Sequence, residues 1–322
     1  MSLSLTFQMA FAALLFERLL GYPRMLQNTI GHPVQWMGDL LTFVDQGIHH
    51  TVSAKTIDRA KGAFALFVLI ACVLLVTVPL AWTLRSLSYG WVAEALLATP
   101  LLAQHDLRRF VLAVADGLDN DLEQARQAVS HIVGRDVGAL DDSGVARAAL
   151  ESLAENSSDG IVAPAFWLCL FGLPGIAVYK AINTADSMIG HRSARYIDFG
   201  WAAARLDDLV NLLASRLTGL LIAAAASLTS PARGADAIHF MARDARKHAS
   251  PNAGWPEAAL AGALDVRLGG PRSYAGVRQD LPWMGRGRML LNARHIRDGV
   301  RLQGRAMLLF AVAVGMGAVF SP

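Results

Sequence analysis

The sequence predicts an all-α, polytopic integral membrane protein with four to six membrane segments, a re-entrant helical hairpin and helical aqueous segments. Three observations predict it. Of 322 residues, 54% are hydrophobic and only 17% charged, below the roughly 25% charged residues of a soluble domain. No charged residue interrupts the run from Gly62 to Leu84, which is long enough to cross a hydrocarbon core of about 30 Å. Between Glu151 and Arg216, clusters of acids, amides and arginines alternate with strongly apolar runs. A charge at mid-bilayer costs about 2.5–3.5 kcal/mol on the insertion scale, so these clusters point to an internal site rather than a lipid-facing surface. The chain reads as one membrane-embedded helical domain. Membrane helices occupy 1–115, a polar helical segment 116–160, motif-bearing helices 161–230, and a basic segment with a last apolar helix 231–322.

The net charge is +3 and the isoelectric point about 9.1. The cations are spread among loops, as a cytoplasmic-side bias requires, and no nucleic-acid partner is expected. Cys72 and Cys169 lie in apolar runs without a CxxC pair and read as small buried hydrophobes. The N-terminus lacks a basic n-region, so no cleavable signal is expected.

Leu3–Leu20 is a first apolar segment of marginal spanning length. A turn-rich loop, GYPRMLQNTIGHPVQWMG, follows. An amphipathic helix from Val34 to His49 presents Val34, Met37, Leu41 and Val44 on one face. Lys55, Arg59 and Lys61 precede the Gly62–Leu84 span and put its start on the cytoplasmic side. Pro79 marks a kink near its far end, with Trp82, Tyr89 and Trp91 as an interfacial belt. An apolar segment from Trp91 to Ala103 is interrupted at Pro100 and continues into a polar helix. Leu122, Ala125, Val129 and Val133 share one helical face. Asp141-Asp142-Ser143 offers an N-cap to a helix on which Glu151 and Glu155 stand one turn apart. Ile161–Leu170 and Ile176–Ile189 are short runs parted by Gly172-Leu173-Pro174-Gly175. That length favours a re-entrant hairpin over a single span. Leu206–Leu228 forms the next segment, with Asp207, Asp208 and Asn211 on one face. A basic helix near Ala242–His248 follows, and Met307–Phe320 is too brief for a confident span.

There is no GxxxxGK[ST] loop, no GxGxxG after a strand, no HExxH, no zinc spacing and no GxSxG. The chain instead carries acids beside amides: Glu151, Glu155, Asn156, Asp159, Asn183, Asp186, Asp207, Asp208, Asn211 and Asn252. Magnesium takes hard oxygen ligands, usually one or two carboxylates plus waters and phosphates. Lys180, Arg192, Arg195, Arg205 and Arg216 are interspersed and suit phosphate. The combination suggests a Mg-phosphate site. Helix caps and ion pairs between short helices are the alternative for each residue. The site reading expects four distant stretches to gather in one water-accessible chamber.

The motifs AENSSDGIVAPAFW, YKAINTADSMIGHR, RLDDLVNLLASRLTGLL and SPNAGWPEAALAGALDVRLGGP, with the early HPVQWMG, together resemble the adenosylcobinamide-phosphate synthase family of cobalamin biosynthesis, CobD/CbiB. The resemblance runs from about Glu17 to about Tyr274. Tyr22 departs from it, standing where the family usually has an acid. So does the LLAS before Arg216, where a proline is usual.

The resemblance implies a multi-pass enzyme of the cell inner membrane with its active site facing the cytoplasm. It implies ATP and Mg2+ as the nucleotide complex, adenosylcobyric acid as a corrinoid substrate, and aminopropanol or its O-phosphate as the amine. It further implies an amide-forming ligase acting through an acyl phosphate. Under it, Glu155, Asp159, Asp186, Asp207 and Asp208 bind the metal. Lys180, Arg192 and Arg205 neutralise phosphates. Asn156, Asn183, Ser187, Asn211, Ser250 and Asn252 orient substrate oxygens. Glu155 and Asp186 also belong to the catalytic set, in which Glu257 or His32 takes the amine proton. Trp36, Trp167, Trp201, Trp255 and Trp283 offer rings to a corrin. The lipid bilayer, a second copy of the chain and other cobalamin-pathway enzymes are the expected partners. Two other functions compete. One is a transporter for an anionic or phosphorylated solute, since interrupted polar helices serve that purpose too. The other is a non-catalytic membrane sensor like the AmpE-like relatives.

Overall fold

The computed structural model describes residues 2–49, 51, 54–191, 193–274 and 277–321. In chain order the helices are α1 (Leu3–Leu20), α2 (Arg24–Ile30), α3 (Pro33–Ile48), α4 (Lys55–Arg85), α5 (Gly90–Ala98), α6 (Gln104–Asn120), α7 (Leu122–Ser130), α8 (Asp142–Ser157), α9 (Ala163–Ile189), α10 (Trp201–Val210), α11 (Leu212–Ser227), α12 (Pro231–Asp244) and α13 (Gly254–Leu264). Strands β1 (Leu268–Gly269), β2 (Arg272–Tyr274), β3 (Val277–Gln279) and β4 (Trp283–Met284) precede α14 (Ala293–Phe320). The architecture is all-α with two minor ribbons, and among the described residues four helical stretches are long and apolar enough to cross a membrane: Leu3–Leu20, Lys55–Arg85, Asp142–Ile189 and Ala293–Phe320. The bent pair α10–α11 makes a fifth if it is one span. Two compact units form: Met1–Ala103 with Ala163–Asn211 and Ala313–Pro322, and Gln104–Val162 with Leu212–Val312.

In the first unit, local signals set the helix ends. The Ser2 side chain accepts from the Leu5 amide and caps α1. Gly21 and Gly31 end α1 and α2 with φ of +59° and +75°, a region favouring glycine. The expected loop at 24–31 is thus partly helical. It is a seven-residue helix between Pro23 and Gly31. At α3 a capping box forms: the Val34 amide donates to His32 Nδ1, and the His32 amide donates to Gln35 Oε1. Helix α4 has 31 residues, about 46 Å of rise. Pro79 sits inside it without ending it. Phe67, Leu75 and Trp82 are exposed along it, as a lipid-facing side requires. The expected belt residues Trp82 and Tyr89 are both 79% exposed. Arg85 holds the buried Glu94 through two hydrogen bonds of 2.7 and 2.8 Å.

The predicted break in α9 is present. Gly172 has φ +67° and ψ −154°, which divides the helix into two short limbs. The chain folds back there. A Cβ built on Gly175 would lie 2.4 Å from the Trp167 carbonyl oxygen, whereas a straight helix separates these positions by about 12 Å along its axis. The α3 end is tied to the 190–200 loop. Asp45 accepts from Arg195 and from the Tyr196 hydroxyl, each at 3.1 Å, and bonds His49 at 3.0 Å. The His49 ring stacks on Phe199 with centroids 4.2 Å apart. Gly62 of α4 meets the same loop backbone to backbone.

In the second unit, Asp121 and Asp141 cap α7 and α8 by accepting from the Gln124 and Gly144 amides. Ala125 and Val129 are fully buried, as their spacing predicts. The expected basic helix at 242–248 is the end of α12 with a 3₁₀ turn. There Asp244 accepts from Arg243, from Lys247 and from the Gly285 amide at 2.8 Å. The strands pair β1 with β4 and β2 with β3, both antiparallel. Leu206–Leu228, expected as one segment, breaks at Asn211. The last helix starts at Ala293 and has 28 residues, so the brief segment expected from Met307 is the apolar half of a full-length span.

Gly62→Ala should lower the melting temperature by several degrees, because a Cβ there would lie 1.7 Å from the Phe199 carbonyl and overpacking costs about 1–3 kcal/mol. Gly47→Ala, with nothing within 4 Å, should leave it unchanged or raise it. Thermal unfolding in detergent checks both. Burial alone would raise the Asp244 pKa, yet its hydrogen bonds bring it down from 3.8 to about 2. The stabilisation is complete above the unfolded value and vanishes as pH falls through the folded one. It amounts to about 2 kcal/mol. Asp244→Asn should therefore flatten the acid limb of a stability–pH curve between those values.

Candidate functional site

The predicted residues fall into two sets, one within each unit. The first set hangs on α9 and α10. Asp207 lies on the buried face of α10 and is 9% exposed. Its Oδ1 accepts from Asn183 Nδ2 at 3.4 Å and its Oδ2 from Asn211 Nδ2 at 3.0 Å. Asn211 is fully buried, and its own Oδ1 accepts from the Tyr179 hydroxyl at 2.9 Å. Lys180 donates to Asn183 Oδ1 at 3.2 Å. Two hydrogen-bond relays therefore converge on Asp207, one from Lys180 through Asn183 and one from Tyr179 through Asn211. Asp186 lies one turn along α9 from Asn183, against Gly190. A Cβ at position 190 would sit 1.9 Å from its Oδ1, so any larger residue there would displace this carboxylate. Asp208, expected on the face of Asp207, turns instead toward Arg205 at 3.5 Å, because consecutive helical positions diverge by about 100°. The Ser187 hydroxyl donates to the Asn183 carbonyl of its own helix. His32 serves the α3 cap, its ring edge-on to Tyr22 at 4.7 Å. Arg192 lies outside the described residues.

The second set centres on a cavity of about 180 Å³ lined by Arg135, Glu151, Ser152, Glu155, Glu257 and Arg272, among others. Glu151 is the acceptor that assembles it. Its Oε1 takes the Gly269 amide at 2.6 Å and Arg272 at 3.2 Å, and its Oε2 takes Arg135 at 2.7 Å. Glu257, at the start of α13 and 1% exposed, faces Arg272 at 3.7 Å and His248 Nε2 at 3.6 Å. Burial first, then the charge of Glu151, holds the Glu257 carboxyl well above the usual carboxylate range, against the pull of Arg272. Burial and Arg272 depress His248. A carboxyl whose ionisation is opposed thus stands beside an imidazole whose protonation is opposed, with Arg272 and Arg135 on the same cavity. Glu257 Oε2 and Arg135 Nε are buried without a hydrogen-bond partner among the described residues.

The remaining predicted residues of this unit sit around these groups. Asn156 donates to the Ser152 carbonyl and hydroxyl, and Asp159 lies on the π-helical turn after α8. Ser250 Oγ accepts from the Asn252 and Ala253 amides, bending the chain into α13. Asn252 Oδ1 accepts from Arg216 at 2.8 Å and from Ser215 at 3.2 Å. Arg216 lies over the Trp255 ring at 4.5 Å.

Sequence reasoning singled out Arg216 but not Arg135, Arg272, His248 or Tyr179. Arg135 and Arg272 each follow a glycine or proline in the sequence, GRD and GPR. An arginine held in a turn-rich segment beside an acidic helix was the available signal. No group of three or more His, Cys, Asp or Glu with metal-holding geometry occurs among the described residues. Magnesium bound with phosphates needs only one or two carboxylates, and the half-buried Asp186 and Asp208 suit that use.

A protein-family model described as CobD/Cbib protein matches residues 10–303. A Rhodobacter capsulatus protein named Cobalamin biosynthesis protein CobD is 49% identical over 320 residues, covering 97% of this chain and 98% of its own length. A Sinorhizobium fredii protein of the same name is 46% identical over 311 residues, covering 95% of each. A third, from Rhizobium meliloti, is 49% identical over 275 residues and 84% of each chain. No solved structure matches the chain significantly. With a family model spanning most of its length and relatives this similar from end to end, the chain belongs to the CobD/CbiB family.

Proposed function

We propose that this membrane protein acts in cobalamin biosynthesis as an ATP-dependent amide ligase, joining adenosylcobyric acid to aminopropanol or its O-phosphate. Family membership supports the pathway. The observation that supports the chemistry is the cavity that Glu257 lines with Arg135 and Arg272, with His248 beside Glu257. A carboxylate does not react with an amine at neutral pH, because oxide is a poor leaving group. In the proposed reaction a substrate carboxylate oxygen attacks the terminal phosphorus of ATP and ADP leaves. The amine nitrogen then attacks the acyl carbon, phosphate leaves, and the nitrogen loses a proton. Guanidinium groups match carboxylate and phosphate oxygens in bidentate fashion, which is the role of Arg135 and Arg272. Glu257 takes the amine proton, its raised pKa making the ionised form a stronger base. Lys180, Asn183 and Asp207 orient a phosphate-bearing group by their fixed hydrogen-bond chain. Asp186 and Asp208 hold magnesium, which when bound neutralises phosphate charge. A cytoplasmic-facing site in the inner membrane gives access to ATP.

Full-length protein in detergent, given adenosylcobyric acid, ATP-Mg and either amine, should form the corresponding cobinamide, read by mass spectrometry. Absence of product with both amines would overturn the ligase reading. Glu257→Gln should lower kcat by roughly 10²–10⁴ with little change in KM. It should also remove the acid limb of the rate profile, since activity requires ionised Glu257 and falls as pH drops through its raised pKa. Asp186→Asn and Asp208→Asn should raise the KM for ATP-Mg about tenfold or more. Unaltered kinetics in both would exclude these carboxylates as metal contacts.

A further inference from the structure

A cleft of the second unit holds none of the residues of the Glu257 cavity, although Ala263, Leu264 and Asp265 from the SPNAGWPEAALAGALDVRLGGP motif form part of its wall. It has a volume of about 560 Å³, within the range of small-molecule sites, and Arg233, Arg288, Arg294, Arg301 and Arg305 all line it. Three elements bring these arginines together. Arg233 stands in the first turn of α12. Arg288 follows β4, and its amide donates to the Asp265 carbonyl at 2.9 Å. Asp265 ends α13 in the left-handed region, with φ +53°, and Gly287 packs directly on its carbonyl. Arg294, Arg301 and Arg305 recur along one face of α14. Only two carboxylates, Asp265 and Asp298, line the same cleft. Asp298 is paired with Arg301, and Arg305 donates to Thr229. Arg233, Arg288 and Arg294 have exposed side chains with no hydrogen bond or ion pair among the described residues.

A concave wall of like charges is unfavourable unless an anion neutralises it. An ordinary solvated face disperses its cations and pairs them, as Arg297 of the same helix is paired with Asp116 and Asp119. Arginine forks fit tetrahedral oxyanions bidentately. Several forks around one cleft suit a doubly charged phosphoryl group or a chain of them. The cleft also lies at the polar end of α14, whose other half is apolar enough to enter a membrane. A phosphoryl group could reach it on a soluble phosphate ester or on a lipid headgroup.

We propose that the cleft lined by Arg233, Arg288, Arg294, Arg301 and Arg305 is a phosphoryl-binding site separate from the Glu257 cavity. Its existence does not depend on the ligase reading. The test uses the full chain in nanodiscs. One arm titrates pyrophosphate and ATP without metal, by calorimetry in a neutral phosphatidylcholine bilayer. The other measures retention of phosphatidylglycerol against phosphatidylcholine by native mass spectrometry. Arg233→Gln/Arg294→Gln should weaken one of these interactions about tenfold or more. Loss in the first arm assigns a soluble phosphate ester, and loss in the second a lipid headgroup. Arg18→Gln/Arg108→Gln removes the same charge from exposed positions elsewhere and should change neither. Unchanged binding in both arms for the cleft variant, or equal losses in the two double variants, would overturn the proposal. If the double cleft variant loses its thermal transition, Arg294→Gln alone carries the same comparison with a smaller, about threefold, effect.

Discussion

Glu151 is the interaction on which the second unit's interior depends. Its carboxylate sits 4% exposed and receives a backbone amide and two guanidinium groups. A buried carboxylate left without such donors costs several kcal/mol. Helix α8, the loop at Arg135, β1 and β2 are therefore required to meet at this side chain. The negative charge so fixed then acts on Glu257, opposing its ionisation. What holds the ribbons to the helix thus adds to the effect of burial on the Glu257 carboxyl.

The first unit solves the same problem with amides instead of guanidinium groups. Asn183 and Asn211 flank Asp207, and Tyr179 completes the chain. Neutral donors leave more of the carboxylate's charge uncompensated than an arginine would. Glu151, by contrast, is neutralised by the two guanidinium groups beside it. The two acids, both buried on helices, are therefore satisfied by different kinds of donor.

The features legible in the sequence were the local ones. Asp141 before an Ala-rich run gave a cap, and Gly172 before Pro174 gave a break, because both act on their own backbone. The pairing of Asp207 with Asn211 followed from helical spacing. Asp208 was misplaced because three-residue spacing to Asn211 was weighed without the burial that only packing decides. The ribbons escaped because two- and three-residue strands show no alternation. Arg135 and Arg272 escaped because their common partner, Glu151, is remote from both along the chain. The extent of α14 escaped because Arg301 and Arg305 lower the hydropathy of a helix that continues through them. The joint presence of five motifs pointed to the family, and the end-to-end similarity of the Rhodobacter relative agrees with it.

Helix α14 changes character partway along, from an arginine-bearing half to an apolar one ending at Phe320. Such a helix has a waterline. Sliding inward by a turn would drag the Arg305 guanidinium toward hydrocarbon, at up to about 2.5–3.5 kcal/mol at the centre. Sliding outward would expose Leu308, Val312 and Met316, which are already on its outer side. Both displacements are opposed, so this helix favours one depth in a bilayer.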